Sequence, residues 1–309
     1  MKEKILKLLK VLNEGLVDKE NTMKIGLLAL LAGENIVLLG PPGTAKSEVA
    51  RRLSQVVDSG NYFEYLLTKF TTPEELFGPL SIKELKNDTF SRKVDGYLPK
   101  VEVAFLDEVF KANSSILNSL LTIINEKKYH NGKEEIEVPL ISLIGASNEF
   151  PKQEELSALY DRFLIKREVD YIENSKKIRL LNLKNTEFSI SKEFKLTVNE
   201  IKKVQKECLK IEIPEKISRI IIKVIQNYEN HFKNKKDDNE KELSEKISDR
   251  KIVKISKLLK VSAYTNGRKE VDISDLILLN DCLWNNPKNR KVVEDVIGNT
   301  VEKELMRIF

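Results

Sequence analysis

The residues whose types and spacing most clearly suggest a chemical function lie in LLGPPGTAKSEVARRL, residues 38–53. This stretch nearly matches the phosphate-loop pattern G-x-x-x-x-G-K-[ST], in which backbone N–H groups and a helix N-terminus surround an anion. In that pattern Lys46 reaches the β- and γ-phosphates of a nucleotide, and Ser47 ligates a magnesium ion. The other positions predicted to contact the nucleotide are Gly40, Pro41, Pro42, Gly43, Thr44, Ala45 and Glu48.

Ala45 stands where the pattern has its second glycine. Because the loop enters a helix at this point and alanine adopts helical angles readily, we expect the methyl group to be tolerated, with some crowding near the β-phosphate. Taken alone, the stretch is also compatible with an ordinary strand–turn–helix corner that happens to contain Lys-Ser.

A second group of polar residues follows the apolar run VEVAFLDE, residues 101–108. Asp107 is predicted to orient the magnesium ion and its water, and Glu108 to polarise the attacking water. A strand that ends in a solvated acidic turn is the alternative, but it explains two adjacent carboxylates less well when Lys46 and Ser47 are also present. Together the two motifs predict a P-loop NTPase.

A third apolar run, LISLIGASN, ends in Asn148. On a strand beside the Asp-Glu strand, this amide would lie between Glu108 and the γ-phosphate and position the water. Taken in isolation, Asn148 fits the cap of a helix or turn better than a role at the nucleotide. Its place in the series of motifs favours the role at the nucleotide.

These motifs require particular elements around them. Continuous apolar runs between helical patterns predict a largely parallel β-sheet covered by helices, an α/β fold, over residues 1–172. From residue 173 to residue 309 the apolar spacing becomes helical, which predicts a mostly α-helical lid domain. Residues 232–246, FKNKKDDNEKELSEK, read as a solvated loop or a frayed helix extension.

Composition narrows the classes of function. The 309 residues suggest about two domains, and the net charge of +5 argues only weakly for a nucleic-acid ligand. The two cysteines and two histidines are scattered, which argues against a zinc site, and reduced thiols fit an intracellular protein. The basic N-terminus is an amphipathic helix rather than a signal peptide, and the apolar run from Ile25 is too short to cross a bilayer. We expect a cytosolic protein.

The order of the motifs GPPGTAKS, FLDE, GASNE and LYDRF resembles that of AAA+ ATPases. The blocks YLLTKFTTPEELFGPLSIKELK, GYLP, NSLLTIINEKKYHNG and LYDRFLIKR resemble the MoxR family and, within it, the RavA branch. The blocks SDRK, NGRKEV and DLILLNDCLW extend the resemblance over nearly the whole chain. RavA-like proteins also have alanine before the lysine, which implies that the methyl group is compatible with nucleotide binding. The segment that matches the family's adenine contact contains Leu16 and Val17.

The resemblance also implies roles for two arginines. Arg162 in YDRF matches the arginine finger that serves the γ-phosphate of a neighbouring subunit. A local pair with Asp161 or Asp170 would explain this arginine as well. Arg250 in SDRK matches the sensor-2 arginine of the helical lid.

The family carries insertions that face a central pore. Residues 80–99 and a β-hairpin turning at Asn131-Gly132 fit those insertions. Tyr129 and His130 would then be placed to touch a client, and an exposed hairpin tip without contacts is the alternative.

The resemblance implies ATP or ADP with Mg²⁺ as ligands, and ATP hydrolysis in a hexameric ring that remodels or matures protein clients. It implies a partner with a von Willebrand A domain and no specific nucleic acid. A nucleic-acid motor is one alternative, opposed by the small net charge, and a nucleotide-gated scaffold is another, opposed by Glu108 and Asn148. RavA-like proteins continue into a C-terminal extension, so we expect a chain that stops at Phe309 to be a short member or part of a longer protein.

Overall fold

The computed structural model describes residues 1–58, 60–151, 154–183, 188–233 and 245–306. Most of the charged run predicted over residues 232–246 therefore lies outside the described residues. The chain forms two compact units. One consists of Glu3–Ile201, and the other consists of Met1–Lys2 together with Lys202–Phe309. Within the described ranges, no helix combines the length and apolar character that a bilayer crossing requires.

The first unit is built on a five-stranded sheet in which every pair of neighbouring strands is parallel. From one side to the other its strands are Tyr62–Leu66, Val103–Asp107, Ser142–Ser147, Ile36–Leu39 and Ile165–Glu168. The three central strands confirm the apolar runs that the sequence predicted. The strands of this unit are β1 (Ile36–Leu39), β2 (Val57–Asp58), β3 (Tyr62–Leu66), β4 (Val103–Asp107), β5 (Lys128–Asn131), β6 (Glu134–Glu137), β7 (Ser142–Ser147), β8 (Ile165–Glu168) and β9 (Leu196–Thr197).

The register of the sheet brings the carboxyl ends of three strands together. Leu39 of β1 pairs with Ser147 of β7, and Leu106 of β4 pairs with Gly145. Because parallel strands all end at the same edge, the residues that follow β1, β4 and β7 emerge side by side. Those residues include the phosphate-loop candidate, the two acidic side chains and Asn148.

Helices cover the sheet and bury its central strands. All four residues of β1 and all six of β7 are buried, as a sheet covered on both faces requires. Thr72 is the N-cap of α4 and forms a capping box with Glu75. The helices assigned to this unit or beginning in it are α1 (Lys2–Asn13), α2 (Glu20–Ala32), α3 (Lys46–Ser54), α4 (Pro73–Phe77), α5 (Ile82–Leu85), α6 (Ser114–Glu126), α7 (Glu154–Asp161), α8 (Ile178–Leu181) and α9 (Val198–Glu207).

The predicted hairpin is confirmed as β5 and β6, with Asn131 paired to Glu134. The expected contact of Tyr129 with a client is wrong, because this side chain is buried and its ring stacks on Phe77 with centroids 5.2 Å apart. His130 is exposed. The tip is not free of contacts either, since the side chain of Asn131 accepts from the backbone N of Arg92 at 2.7 Å and donates to its carbonyl oxygen at 3.1 Å.

The second unit is helical, as the spacing predicted. The apolar stripe of α10 (Glu215–Phe232), which runs from Ile217 to Tyr228, is buried. α11 (Asp249–Thr265) and α12 (Arg290–Met306) complete its longer helices, and a 3₁₀ segment spans Ile273–Asp281. Within this unit α12 packs on α10 and on the 3₁₀ segment.

The two units divide inside α9. The division expected after residue 172 followed the change in sequence pattern, and it stays a prediction. By compactness, residues 173–201 group with the sheet. One reason is that β9 pairs with β2, with Leu196 opposite Val57.

Candidate functional site

The chain leaves β1 through two glycines whose positions demand that residue. A Cβ on Gly40 would lie 2.0 Å from the carbonyl oxygen of Val169, just after β8. Gly43 has a φ of +78°, in the region that favours glycine. Thr44 follows Gly43, and its hydroxyl donates back to the carbonyl oxygen of Pro41 at 3.0 Å. The close approach and the turn together fix the path of the loop toward α3.

The expected reason for tolerating Ala45 is wrong. Ala45 does not take helical angles but has φ +66° and ψ +25°, as the residue that precedes α3. An L-residue in this left-handed conformation costs about 1–2 kcal/mol, a cost that the usual glycine avoids. The loop therefore keeps its conformation with an alanine, at the expense of local backbone strain.

Lys46 is buried and its Nζ lies inside the loop. It donates to the carbonyl oxygens of Gly40 at 2.7 Å and Pro41 at 2.8 Å, and to Oδ1 of Asn148 at 2.7 Å. Burial lowers the pKa of Lys46 below its ordinary value, although Asp107 and Glu108 oppose that shift. The ammonium group is thus held by three oxygens at the point where the loop N–H groups and the start of α3 would meet an anion.

Ser47 and Asp107 lie side by side as predicted. The Ser47 hydroxyl donates to Oδ2 of Asp107 at 2.9 Å, although the two residues are 60 positions apart in sequence. The other carboxylate oxygen, Oδ1, accepts from the backbone N of Glu108 at 2.9 Å. A hydroxyl beside a carboxylate is the hard oxygen donor set that Mg²⁺ prefers, so these residues fit that ion.

Glu108 follows β4 in an unusual backbone conformation, with φ +53° and ψ +41°. Both of its carboxylate oxygens have partners. Oε1 accepts a short hydrogen bond from Nδ2 of Asn148, and Oε2 lies 3.4 Å from Nζ of Lys111. Asn148 therefore links Lys46 to Glu108, as its predicted position between the acid and the phosphate requires. Sequence reasoning missed Lys111, whose only signal was a basic residue three positions after the acid.

Leu16 and Val17 line a pocket of about 220 Å³ together with the loop residues Gly43, Thr44 and Ala45. Ile172 and Leu180 of α8 line the same pocket. Because the lining is largely apolar and the pocket adjoins the loop, it has the character of a site for a planar base. The structure brings Leu16 and Val17 beside the loop, and their contact with adenine stays a prediction.

Two buried cations that sequence reasoning missed hold the walls of this pocket. Arg52 of α3 donates from Nη1 to the carbonyl oxygens of Leu12 at 2.9 Å and Glu14 at 2.6 Å, which fixes the segment leading to Leu16. Lys19 donates to the carbonyl oxygen of Asp170 at 3.2 Å, and burial lowers its pKa despite the nearby carboxylates. Their signal in the sequence was weak, because the groups through which they hold these two segments are backbone oxygens.

The side chains of Glu48 and Pro42, two other predicted nucleotide contacts, have no direct part in the site. The carboxylate of Glu48 pairs with Nε of Arg52 at 2.6 Å, so it helps to hold the arginine that fixes the segment leading to Leu16. Pro42 is exposed at the outside of the loop. Neither side chain points to chemistry of its own, although their backbone belongs to the loop and to the first turn of α3.

Arg162 lies at the opposite edge of the sheet. Its carbonyl oxygen accepts from Nδ2 of Asn35 at 3.3 Å, and Asn35 immediately precedes β1. The phosphate loop begins at Gly40, after β1, so roughly 16 Å of strand separates the two at about 3.3 Å per residue. This is longer than an arginine side chain, so Arg162 cannot serve the loop of its own chain.

The guanidinium of Arg162 is only partly engaged. Nη1 contacts Oδ2 of Asp161 at 3.2 Å, which is one of the two local pairs that the sequence left open. Nε is buried and has no hydrogen-bond partner among the described residues. The side chain is 25% exposed. Its geometry leaves donors for a group outside this chain.

Arg250 belongs to the second unit. It is exposed and lies in the first turn of α11, which Ser248 caps by accepting from the backbone N of Lys251. Its expected role at the nucleotide stays a prediction.

Comparisons with known proteins agree with this geometry. The family model described as the MoxR domain in the MoxR-vWA-beta-propeller ternary systems matches residues 3–206, and the model of an AAA lid domain matches residues 217–297. The chain is similar to the uncharacterized protein MJ0079 of Methanocaldococcus jannaschii, with 42% identity over 97% of this chain and 75% of the relative. It is also similar to the uncharacterized protein MJ0812 of the same organism, with 45% identity over 89% of this chain and 70% of the relative.

Among solved structures, the fold resembles that of a candidate ATPase from Cytophaga hutchinsonii, with a TM-score of 0.74 and 19% identity. That likeness covers 96% of this chain and 94% of the other and concerns the fold. The family models and the fold agree on an α/β AAA+ core followed by a helical lid. The chain therefore belongs to the MoxR family of AAA+ ATPases.

Proposed function

We propose that this chain hydrolyses ATP to ADP and phosphate in an oligomeric ring and uses the turnover to remodel protein clients. The observation that carries the proposal is the connected network at one sheet edge. Lys46, Asn148 and Glu108 are joined by hydrogen bonds, and Ser47 meets Asp107 beside them. These are the groups needed to hold a triphosphate and to activate water, and they converge from three strands.

Binding is assigned to the loop and to the pocket beside it. The triphosphate would take the place of the carbonyl oxygens that now accept from Lys46, because a phosphate forms stronger charge-assisted bonds with the ammonium. The base would enter the pocket lined by Leu16 and Val17. Ser47 and Asp107 would hold Mg²⁺, which lowers the charge on the phosphate oxygens when it is bound.

Hydrolysis is assigned to Glu108 and Asn148. Water attacks the γ-phosphorus in line with the leaving ADP, and the Glu108 carboxylate accepts the proton that the water loses. The amide of Asn148 orients Glu108 through its Nδ2 and contacts Lys46 through its Oδ1. An amide suits this position because it donates to one neighbour and accepts from the other.

The ring and the partner rest on further observations. Arg162 cannot reach its own loop, so a second subunit is needed if this arginine is to stabilise the transferring phosphoryl group. We infer a homo-oligomer, a hexamer, in the cytoplasm. The family model is named for systems that combine MoxR and vWA components, which supports a partner with a von Willebrand A domain. Placement in the RavA-like branch, chaperone-like action and the sensor-2 role of Arg250 are parts of the same proposal.

The test compares ATP binding with phosphate release. We expect the wild-type protein to hydrolyse ATP with Mg²⁺, Lys46→Ala to lose ATP binding, and Glu108→Gln to bind ATP but turn over about 10²–10⁴ times more slowly. Glu134→Gln makes the same chemical change on the exposed strand β6 and should behave as the wild type. Tight ATP binding without turnover in the wild-type protein would instead support a nucleotide-gated scaffold.

A further inference from the structure

The second unit carries an excess of positive charge. Its residues, Met1–Lys2 and Lys202–Phe309, include 25 lysines and arginines against 18 aspartates and glutamates. The first unit has the opposite balance, with 28 basic residues against 30 acidic ones. The net charge of +5 for the whole chain therefore combines a basic second unit with a slightly acidic first unit. Such an imbalance bears on what a surface binds more than on how the chain folds.

Nine of these basic residues lie in two segments that contact each other. Residues 202–210, which include the end of α9, contain four lysines, and residues 250–265 of α11 contain five basic residues and no acidic one. The 3₁₀ turn Cys208–Lys210 packs against α11. Glu207 is the one acid in the two segments, and it already pairs with Lys210 at 2.8 Å. The two segments therefore combine a large basic charge with one carboxylate that is engaged.

The thiol of Cys208 shows how close the lysines of α11 come to the other segment. Cys208 is buried where the two segments meet. Burial raises the pKa of this thiol, and the charges of Lys257 and Lys260 oppose the rise. Both ammonium groups of α11 therefore lie near the end of α9, next to the lysines of that helix.

We call the exposed part of these segments the lysine surface, which consists of Lys202, Lys203, Lys206, Lys257 and Lys260. The three lysines of α9 are exposed, and the two of α11 are half-buried. Within the described part of the chain, none of these five side chains forms an ion pair or a hydrogen bond. Their charges are thus available to an anionic ligand, which would relieve the repulsion among them.

Two exposed aliphatic side chains lie on the same segments. Leu209 is 63% exposed and follows Cys208, and Val253 is 66% exposed and lies one turn of α11 before Lys257. Residues four and seven positions apart share a helix face, so Val253, Lys257 and Lys260 form one stripe. A phosphate backbone offers no apolar group to these aliphatic side chains, whereas a protein segment supplies carboxylates and apolar side chains together. The combination favours an acidic protein segment over a nucleic acid.

We propose that the lysine surface binds an acidic segment of a partner protein, whose carboxylates face the lysines and whose aliphatic side chains contact Leu209 and Val253. Binding would neutralise ammonium groups that lie close to one another and would remove two exposed aliphatic side chains from water. The inference goes beyond the proposed function, because it gives the second unit a binding surface that uses none of the residues assigned to the nucleotide.

The test measures the fluorescence anisotropy of a labelled peptide of Glu-Glu-Leu-Glu repeats with the full chain and no nucleotide. The wild-type protein should bind this peptide saturably, with an affinity that falls as salt is raised from about 50 mM to about 500 mM. Lys206→Glu/Lys257→Glu, with one reversal on each helix, should weaken binding at least about tenfold. Lys216→Glu/Lys303→Glu makes the same change in net charge at exposed positions of α10 and α12, and its affinity should stay within about threefold of the wild type.

Further variants keep the test decisive if charge reversal impairs folding. Lys206→Gln/Lys257→Gln removes the two charges without adding acids and should still weaken binding about threefold or more. Leu209→Ala should weaken binding of the leucine-containing peptide about threefold and leave binding of a peptide of glutamates alone unchanged. A peptide of Gln-Gln-Leu-Gln repeats should not bind. Circular dichroism and urea unfolding establish that each variant is folded.

The proposal would be overturned if the wild-type protein showed no saturable binding, or if folded Lys206→Glu/Lys257→Glu bound the acidic peptide as the wild type does. A DNA duplex that binds more tightly than the peptide, and loses affinity in the same variant, would overturn the choice of a protein partner. The peptide assay contains no nucleotide, and ATP turnover is measured separately. Failure of the binding proposal therefore leaves the proposed hydrolysis intact, and a protein without ATP turnover can still bind the peptide.

Discussion

Nζ of Lys46 donates to Oδ1 of Asn148 at 2.7 Å across 102 positions of sequence. The same amide donates from Nδ2 to Glu108, so one side chain connects the cation assigned to bind the phosphates to the acid assigned to activate water. Because the amide has a distinct donor end and acceptor end, this connection specifies its orientation. Under the proposed function, this arrangement makes Asn148 a positioning residue that connects the binding of the phosphates to the activation of water.

Asn148→Ala should therefore reduce turnover more than it reduces ATP affinity. Loss of the bond to Glu108 leaves the carboxylate free to move, and misplacement of a reacting group by about 1 Å costs about 10²-fold in rate. Calorimetry and phosphate release on the same preparation separate the two effects. Asn118→Ala, an exposed position on α6, is the control. A loss of affinity as large as the loss of turnover would contradict the positioning role.

Ala45→Gly should keep nucleotide affinity and leave the free energy of unfolding unchanged or up to about 1 kcal/mol higher. Glycine removes the strain of φ +66°, and the entropy that glycine loses on folding offsets part of that gain. Ala50→Gly, inside α3 where the backbone is helical, should instead lower the free energy of unfolding by about 1 kcal/mol or more. Urea unfolding of both variants provides the measurement, and equal destabilisation would show that Ala45 is not strained.

The affinity for ATP should decrease as the pH rises. The decrease should begin at a lower pH than it would with a lysine of ordinary pKa at this position. Burial lowers the pKa of Lys46 below 10.5, and the triphosphate needs the charged ammonium. The charged form is present below the lowered pKa and is lost as the pH rises through it. Calorimetry at alkaline pH, in buffers with different ionisation enthalpies, should show proton uptake on binding.

Lys46→Arg is the matched variant for this pH effect, because a guanidinium stays protonated over the whole range. Its affinity should lack the alkaline decrease, whatever its absolute value. An identical decrease in both proteins would place the titrating group elsewhere.

Lys19→Met should weaken the binding of ATP about tenfold while leaving the binding of inorganic triphosphate unchanged. The lost bond to the carbonyl oxygen of Asp170 frees the wall of the base pocket, at the scale of one charge-assisted hydrogen bond. Lys24→Met, at an exposed position of α2, serves as the control. Equal weakening of both ligands would show that Lys19 acts on the loop instead of the base pocket.

The sheet and its functional edge could be predicted from the sequence because the signals are local. Continuous apolar runs mark buried parallel strands, and parallel strands end at one edge. That rule alone places Lys46, Asp107 and Asn148 together. Resemblance to a family added Leu16 and Val17, which the structure brings to the pocket beside the loop.

Other features depend on contacts between distant residues and have no local signal. Ala45 and Glu108 hold left-handed angles that their residue types disfavour, and such conformations are set by the surrounding loop and strands. Tyr129 reads as an exposed hairpin residue until Phe77 is placed against it. Lys111 gains meaning only because its ammonium reaches the carboxylate of Glu108.

The central claim is that the site is completed by a second subunit, and mixing two inactive variants tests it most directly. Arg162→Ala retains an intact loop and an intact Glu108, whereas Glu108→Gln retains an intact arginine. Each alone should lose turnover, the arginine variant by about 10³–10⁵-fold in analogy with other arginine fingers. In mixed rings, about a quarter of the interfaces join an intact loop to an intact Arg162 if the subunits assemble at random.

The measurement is phosphate release from an equimolar mixture, with co-assembly verified by sedimentation. We predict that the mixture is clearly more active than either variant alone, and that its specific activity rises with protein concentration across the range of assembly. A mixture that assembles but is no more active than its components would contradict the account. It would return Arg162 to its local pair with Asp161.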